Sequence, residues 1–269
     1  MMTTMRIATL NLWCRHGDWP ARRQVLAEGF RELRADLVAF QESIVTDDYD
    51  QIADLLGDGY ELHHGDARTP HDGAGTTIAS RWPVTKLHEM ELSVTARVDP
   101  AEPWIGRVYI AEIDGPQPLL FVNHKPSYPL HMELERELQA VATARLVEDL
   151  VGTGRRHVVL AGDFDATPDA ASIRFWSGKQ SLQGTSVCYR DAWEQAHPGE
   201  PGYTFTTRNP RMGWDWDRRI DYIFVRCEAK GPTLRVDRCE RLFAEPVGGV
   251  WASDHFGLVA DLSPRPSRT

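Results

Sequence analysis

Short apolar runs recur along the chain, and one after another they stop at a residue able to hold a metal or move a proton. Residues 6–13 alternate apolar and polar as a strand does and close on Asn11-Leu12-Trp13. Residues 36–42 read as a buried strand ending in Gln41-Glu42. Residues 106–113 and 119–124 pair as a hairpin through Asp114-Gly115-Pro116, and the second strand delivers Asn123-His124-Lys125. The central run, His157-Val158-Val159-Leu160-Ala161, reads as a strand buried on both faces that opens into Gly162-Asp163-Phe164-Asp165. Residues i and i+2 of an extended backbone share a face, so Asp163 and Asp165 are expected to look into one pocket. Strands with loops are expected over 60–92, and further strands at 219–225, 233–236 and 257–262.

Helical periodicity occupies fewer stretches. A helix starts at Pro20, with Val25, Leu26, Phe30 and Leu33 on one face, and a short one spans 47–56 up to Gly57. Residues 131–151 form the longest, with an apolar stripe of Leu134, Leu138, Val141, Ala142, Leu146 and Leu150 and Gly152 as its stop. Another opens at Pro168, and 177–216 is loop-rich. No repeat, linker or composition break divides the chain. It reads as a single domain over 1–263 with a frayed tail at 264–269.

Composition narrows the class. At 269 residues, 42% hydrophobic and 26% charged, the chain is that of a globular protein. A net charge of −9 argues against a general polyanion-binding surface, while leaving room for a local basic groove or a metal-bridged phosphate. Met1 to Met5 lead straight into a strand without an apolar signal region, and no apolar run approaches the ~20 residues that cross a bilayer. Cys14, Cys188, Cys227 and Cys239 are scattered, without the close pairs of a zinc or redox motif. A cytoplasmic chain with reduced thiols, no membrane span and no protein partner evident is expected.

A lone strand-end aspartate is usually a solvated cap, and a lone histidine is usually structural. Asn11, Glu42, His124, Asp163 with Asp165, Asp221, and Asp254-His255 together are harder to dismiss, because strand ends in a sheet converge. Thr9-Leu10-Asn11, Phe40-Gln41-Glu42, Asn123-His124, Gly162-Asp163-Phe164-Asp165, Arg219-Ile220-Asp221-Tyr222-Ile223 and Ser253-Asp254-His255 stand in the order of the endonuclease/exonuclease/phosphatase superfamily. The chain resembles that family from about residue 6 to 262, and the stretch 75–83, ending Ser80-Arg81-Trp82-Pro83, also looks like it. The resemblance implies an α/β (α+β) fold, a four-layer α/β/β/α sandwich of two mainly antiparallel sheets like that of deoxyribonuclease I. It also implies a metal-dependent phosphoesterase site at one edge of the two sheets.

Phosphate esters need a cation to neutralise charge, an in-line water, and donors for the developing oxyanion. On that basis Glu42 is the expected oxygen ligand for Mg²⁺ or Mn²⁺, with Asn11 and Asp254 as its partners. His255 is the candidate general base, oriented by Asp221, and Asp163 is placed to position water or the leaving-group proton. His124, as a cation, is assigned to a phosphate oxygen, with Arg107 as a helper. The sequence departs from the family at 165, where Asn is usual and Asp165 stands. Asp165 can be a metal ligand, can be protonated by coupling to Asp163, or can mark drifted activity. The excess of carboxylates favours the first, so one ion and then a second are expected.

Substrate choice falls to loops. The stretch 203–219 interleaves Arg208 with Trp214 and Trp216, a pattern suited to stacking and phosphate contact, or to a surface loop whose charges pair internally. Lys125 and Tyr128 begin a second candidate wall. The expected activity is phosphoester hydrolysis, most of all as a nuclease or phosphodiesterase. The alternative is a phosphatase or phosphodiesterase for an inositol phosphate, nucleotide or lipid headgroup, and a remote one is a non-catalytic binding protein.

Overall fold

The computed structural model describes residues 4–98, 106–153, 156–213 and 215–265. In chain order these form β1 (Met5–Asn11), α1 (Trp19–Leu33), β2 (Leu37–Thr46), β3 (Tyr49–Asp50), α2 (Gln51–Leu56), β4 (Glu61–His64), β5 (Ala74–Ser80), β6 (Val84–Glu91), β7 (Arg107–Ile113) and β8 (Leu119–Lys125). They continue with α3 (Glu133–Val151), β9 (His157–Asp163), α4 (Ala171–Trp176), β10 (Tyr189–Asp191), α5 (Ala192–Ala196), β11 (Asp221–Glu228), β12 (Gly231–Pro232), β13 (Leu234–Leu242) and β14 (Gly257–Pro264). One sheet runs β13-β14-β1-β2-β5-β4, with β3 on β2. The other runs β10-β11-β9-β8-β7-β6, with β12 on β11.

The two sheets face each other. Ile7, Leu37 and Ile78 of the first pack with Phe121, Val159 and Ile223 of the second. Outside the second sheet, Val141, Ala144 and Trp176 of α3 and α4 cover Ile110, Leu160 and Phe224. Outside the first, Leu26, Phe30 and Ile52 of α1 and α2 cover Val38 and Phe40. This is the α/β/β/α sandwich. In β9, Val159 and Ala161 point between the sheets while Val158 and Leu160 point under the helices, so alternation buries every residue of the run after half-buried His157. Each buried valine or leucine there contributes roughly 1.5–3 kcal/mol of transfer free energy.

Several expectations shift. Helix α4 begins at Ala171, not at Pro168, because Ala170 N–H closes a turn on Thr167 O first. In α3 the buried face is rotated from the leucine stripe: Leu134 is exposed, while Glu135, Arg136, Gln139 and Thr143 are buried. Beside the apolar Val141, Ala144 and Val147, two of these polar side chains serve backbone groups. Arg136 donates to the carbonyls of Ser127, Pro129 and Leu130, and Gln139 donates to that of Leu92. Strand β14 extends through Pro264, and residues 266–269 of the expected tail lie outside the described residues.

Topology positions the site. In each sheet one adjacent pair is parallel, β1 with β2 and β8 with β9. Their C-terminal ends therefore share one edge. Strands β14 and β11 run antiparallel to β1 and β9, so their N-terminal ends arrive at that same edge.

Candidate active site

Asn11 ends β1, and its amide spans the gap between the sheets. Its Nδ2 donates to Glu42 Oε1 at 2.8 Å and to Asp163 Oδ2 at 2.9 Å, while its Oδ1 accepts from Trp13 N–H. Toward the acids Asn11 thus presents a donor, which suits a clamp better than the expected metal ligand. Glu42 sits on the bulge between Phe40 and Ser43 with φ at 55°, a device that re-aims a side chain at a strand's edge. Half-buried Asp254 follows Ser253, whose hydroxyl donates to Asn11 O at 2.7 Å. Burial and the neighbouring Glu42 push the Asp254 carboxyl up to about 7.

Across the gap, Asp163 lies in register with Asp221 on β11. His255 joins them: its Nδ1 is 3.0 Å from Asp221 Oδ2, and its Nε2 is 3.9 Å from Asp163 Oδ2. Burial opposes a charged ring, but Asp221, Asp163 and Asp254 outweigh it and hold His255 up to about 10. Phe205 packs against the ring at 4.7 Å between centroids. Ligand atoms of Asp163, Asp221 and His255 lie within 4.8 Å of one another, so by distance this trio could also hold an ion. Burial raises Asp221 above the carboxylate range, and its Oδ1 is buried without a partner.

His124 is a correction. It is fully buried under the helices, its ring 5.1 Å from Phe164 and 6.0 Å from Trp176, and burial drives it down to about 3. The expectation overlooked the strand period: β8 turns Asn123 and Lys125 toward the site and His124 away. Asn123 donates to the carbonyls of Phe40 and Thr77 and accepts from Gln41, tying the sheets together. Lys125 reaches Asp163 Oδ2 at 2.6 Å and also Asp165, so a side-chain cation stands beside the two aspartates where a second ion was expected. Asp165 shares the pocket as expected, but through a left-handed turn at φ 51°, not along an extended strand. Gly162 has no tolerable substitute, since a Cβ would lie 2.1 Å from His124 O.

The expected walls are more inward-looking than the sequence suggested. Arg107 faces Glu89 and Glu91 on the neighbouring strand, and Arg208 pairs with Glu245 at 2.5 Å. Tyr128 and Trp216 are exposed, and Trp214 lies outside the described residues. Asn209, not singled out from sequence, is buried and donates to the carbonyls of Ser253 and Asp254. Arg22 of α1 was missed as well; it donates to the carbonyls of Leu12, His16 and Ala252 behind the acids. A charged residue on an otherwise apolar helix face was the available signal.

A two-sheet sandwich with carboxylates, an aspartate-held histidine and a lysine gathered at one edge is a deoxyribonuclease I-like fold with an acidic, histidine-containing site. The model of the Endonuclease/Exonuclease/phosphatase family matches residues 8–255, and the chain belongs to that family. It is 25% identical over 95% of its length to a Caenorhabditis elegans protein named "Putative neutral sphingomyelinase", of which it spans 66%. A Bacteroides vulgatus endonuclease/exonuclease/phosphatase structure superposes with a TM-score of 0.72 at 20% identity, covering 98% of this chain and all of that one. D. rerio TDP2 complexed with single strand DNA product superposes with a TM-score of 0.71 at 19% identity, covering 97% and 99%. Among the described residues no helix is long and apolar enough to cross a membrane.

Proposed function

We propose that the chain is a Mg²⁺- or Mn²⁺-dependent phosphodiesterase, with Asp163, Asp221 and His255 as its reacting groups. The observation that carries this reading is the buried His255, bonded to Asp221 through Nδ1 and facing Asp163 through Nε2. Glu42 and Asp254 fit a hard divalent cation: Glu42 raises the proton affinity of the neighbouring Asp254, and no described lysine or arginine side chain bonds either of them. When bound, the ion neutralises phosphoryl charge. Asn11 holds Glu42 against Asp163 and so links the ion's side of the site to the reacting side.

The field of three carboxylates favours a protonated ring, so His255 serves as a donor to a phosphoryl or leaving-group oxygen rather than as the expected base. Lys125, His255 and Asn11 outweigh burial and hold Asp163 well below the usual carboxylate range, which leaves it ionised to orient the attacking water. A loose phosphoryl transition state demands little more of a base.

A small phosphodiester, such as a lipid or nucleoside headgroup, suits the walls best, because Arg107 and Arg208 already face acids and the chain is acidic. The name of the Caenorhabditis elegans relative supports this substrate class. Single-stranded DNA is the second reading, favoured by the similar DNA-bound TDP2 structure and by exposed Trp216. The test is a Mg²⁺/Mn²⁺ activity screen on bis-p-nitrophenyl phosphate, p-nitrophenyl phosphate, a phosphocholine diester, and single- and double-stranded DNA. Turnover of a diester that disappears in His255→Ala supports the proposal; activity indifferent to that change or to chelation overturns it. A steep fall of rate with salt assigns nucleic acid, a shallow one a small substrate.

A further inference from the structure

A buried lysine with two aspartates is an unusual thing to build at a cation-dependent site. Lys125 is 2% exposed and ends a strand whose residues are all buried, so its ammonium cannot swing to solvent. It donates to Asp163 Oδ2 and to Asp165 Oδ2. Asp163 Oδ2 also accepts from Asn11, and Asp163 Oδ1 accepts from Asp165 N–H at 3.1 Å. Each oxygen of Asp163 therefore accepts at least one N–H, and a metal bound at Asp163 Oδ2 and Asp165 Oδ2 would compete with an ammonium that already neutralises the pair. Asp165 pays for this arrangement with a left-handed backbone, a conformation that persists in a non-glycine residue only where its surroundings demand it.

We propose that Lys125 is a positioning residue that stands in for a second divalent ion: its ammonium balances Asp163 and Asp165 from within the protein and leaves the site to a single ion at Glu42 and Asp254. This rests on the metal-dependent reading above. It also accounts for the aspartate at 165, whose charge is matched by a lysine two strand positions from the one that opposes Ala161.

Equilibrium dialysis against Mn²⁺ with elemental analysis, run on the full chain and on Asp165→Asn, Lys125→Met and the double variant, tests it alongside thermal unfolding in chelator. The full chain and Asp165→Asn each hold one ion. Lys125→Met unfolds at lower temperature in chelator, and saturating Mn²⁺ restores it with a second ion bound. The double variant, in which an amide no longer needs a cation, regains most of the lost stability and holds one ion. Should Lys125→Met fail to fold, recovery in the double variant still supports the proposal, and no recovery overturns it. Two ions on the full chain, falling to one in Asp165→Asn, overturn it while leaving the metal-dependent reading intact. No ion on the full chain sinks both.

Discussion

The two sheets bring acids to the same edge under opposite electrostatic conditions. On the first sheet's side Glu42 and Asp254 are met by the Asn11 amide, the Ser253 hydroxyl and the field of His255, with no described lysine or arginine bonded to either, and burial and Glu42 still drive the Asp254 carboxyl up to about 7. On the second sheet's side Asp163, Asp165 and Asp221 are met by Lys125 and His255, and Asp163 is held ionised. One side carries its own cations and the other asks for one. The difference teaches that a surplus of carboxylates counts ions only after the lysines have been placed.

The largest test removes the link at the reacting side. His255→Ala is expected to lower kcat on bis-p-nitrophenyl phosphate about 10³-fold, within the usual range for a proton-transferring side chain. The comparison predicts opposite signs for removing an acid. Asp163→Asn leaves Lys125 only Asp165 and His255 only Asp221 as an acid partner, and urea unfolding in chelator should show a loss approaching about 3–5 kcal/mol. Glu42→Gln relieves repulsion at Asp254, so the ion-free chain should be as stable as the parent or more so, while Mn²⁺ affinity collapses in calorimetry. If both substitutions destabilise alike, the two sides are not different in kind.

The two histidines sharpen the contrast through pH. His255, raised to about 10, contributes stability that is complete below its unfolded value near 6.5 and is lost as pH rises through 10. His124, lowered to about 3, does the reverse: its contribution is present above about 6.5 and is lost as pH falls toward 3. Each window carries at most about 1.4 kcal/mol per pH unit. In unfolding curves against pH, His255→Gln should flatten the alkaline limb and His124→Phe the acid limb. The smallest effect is expected at the rim. Arg208→Ala, already paired with Glu245, should change turnover of a small diester less than about threefold, as exposed ion pairs are worth under about 1 kcal/mol.

Much of this was legible in the chain. Apolar runs bounded by Asn11, Glu42, Asp163, Asp221 and His255 predicted strands whose ends meet, because hydrophobic periodicity is a local property and strand ends are where it breaks off, although Asp221 and His255 turn out to lead into their strands rather than to close them. Two parallel pairs and their antiparallel neighbours then bring those ends to one edge. What the chain alone left undecided were side-chain partners. Whether His124 or Lys125 faces the acids turns on a one-residue alternation, and whether Asp165 meets a metal or an ammonium turns on a strand forty residues earlier. Pattern determines which face of an element is buried. Which charge neutralises which depends on distances across two sheets, and Coulomb energies at 3 Å in a buried site exist only once the chain has closed.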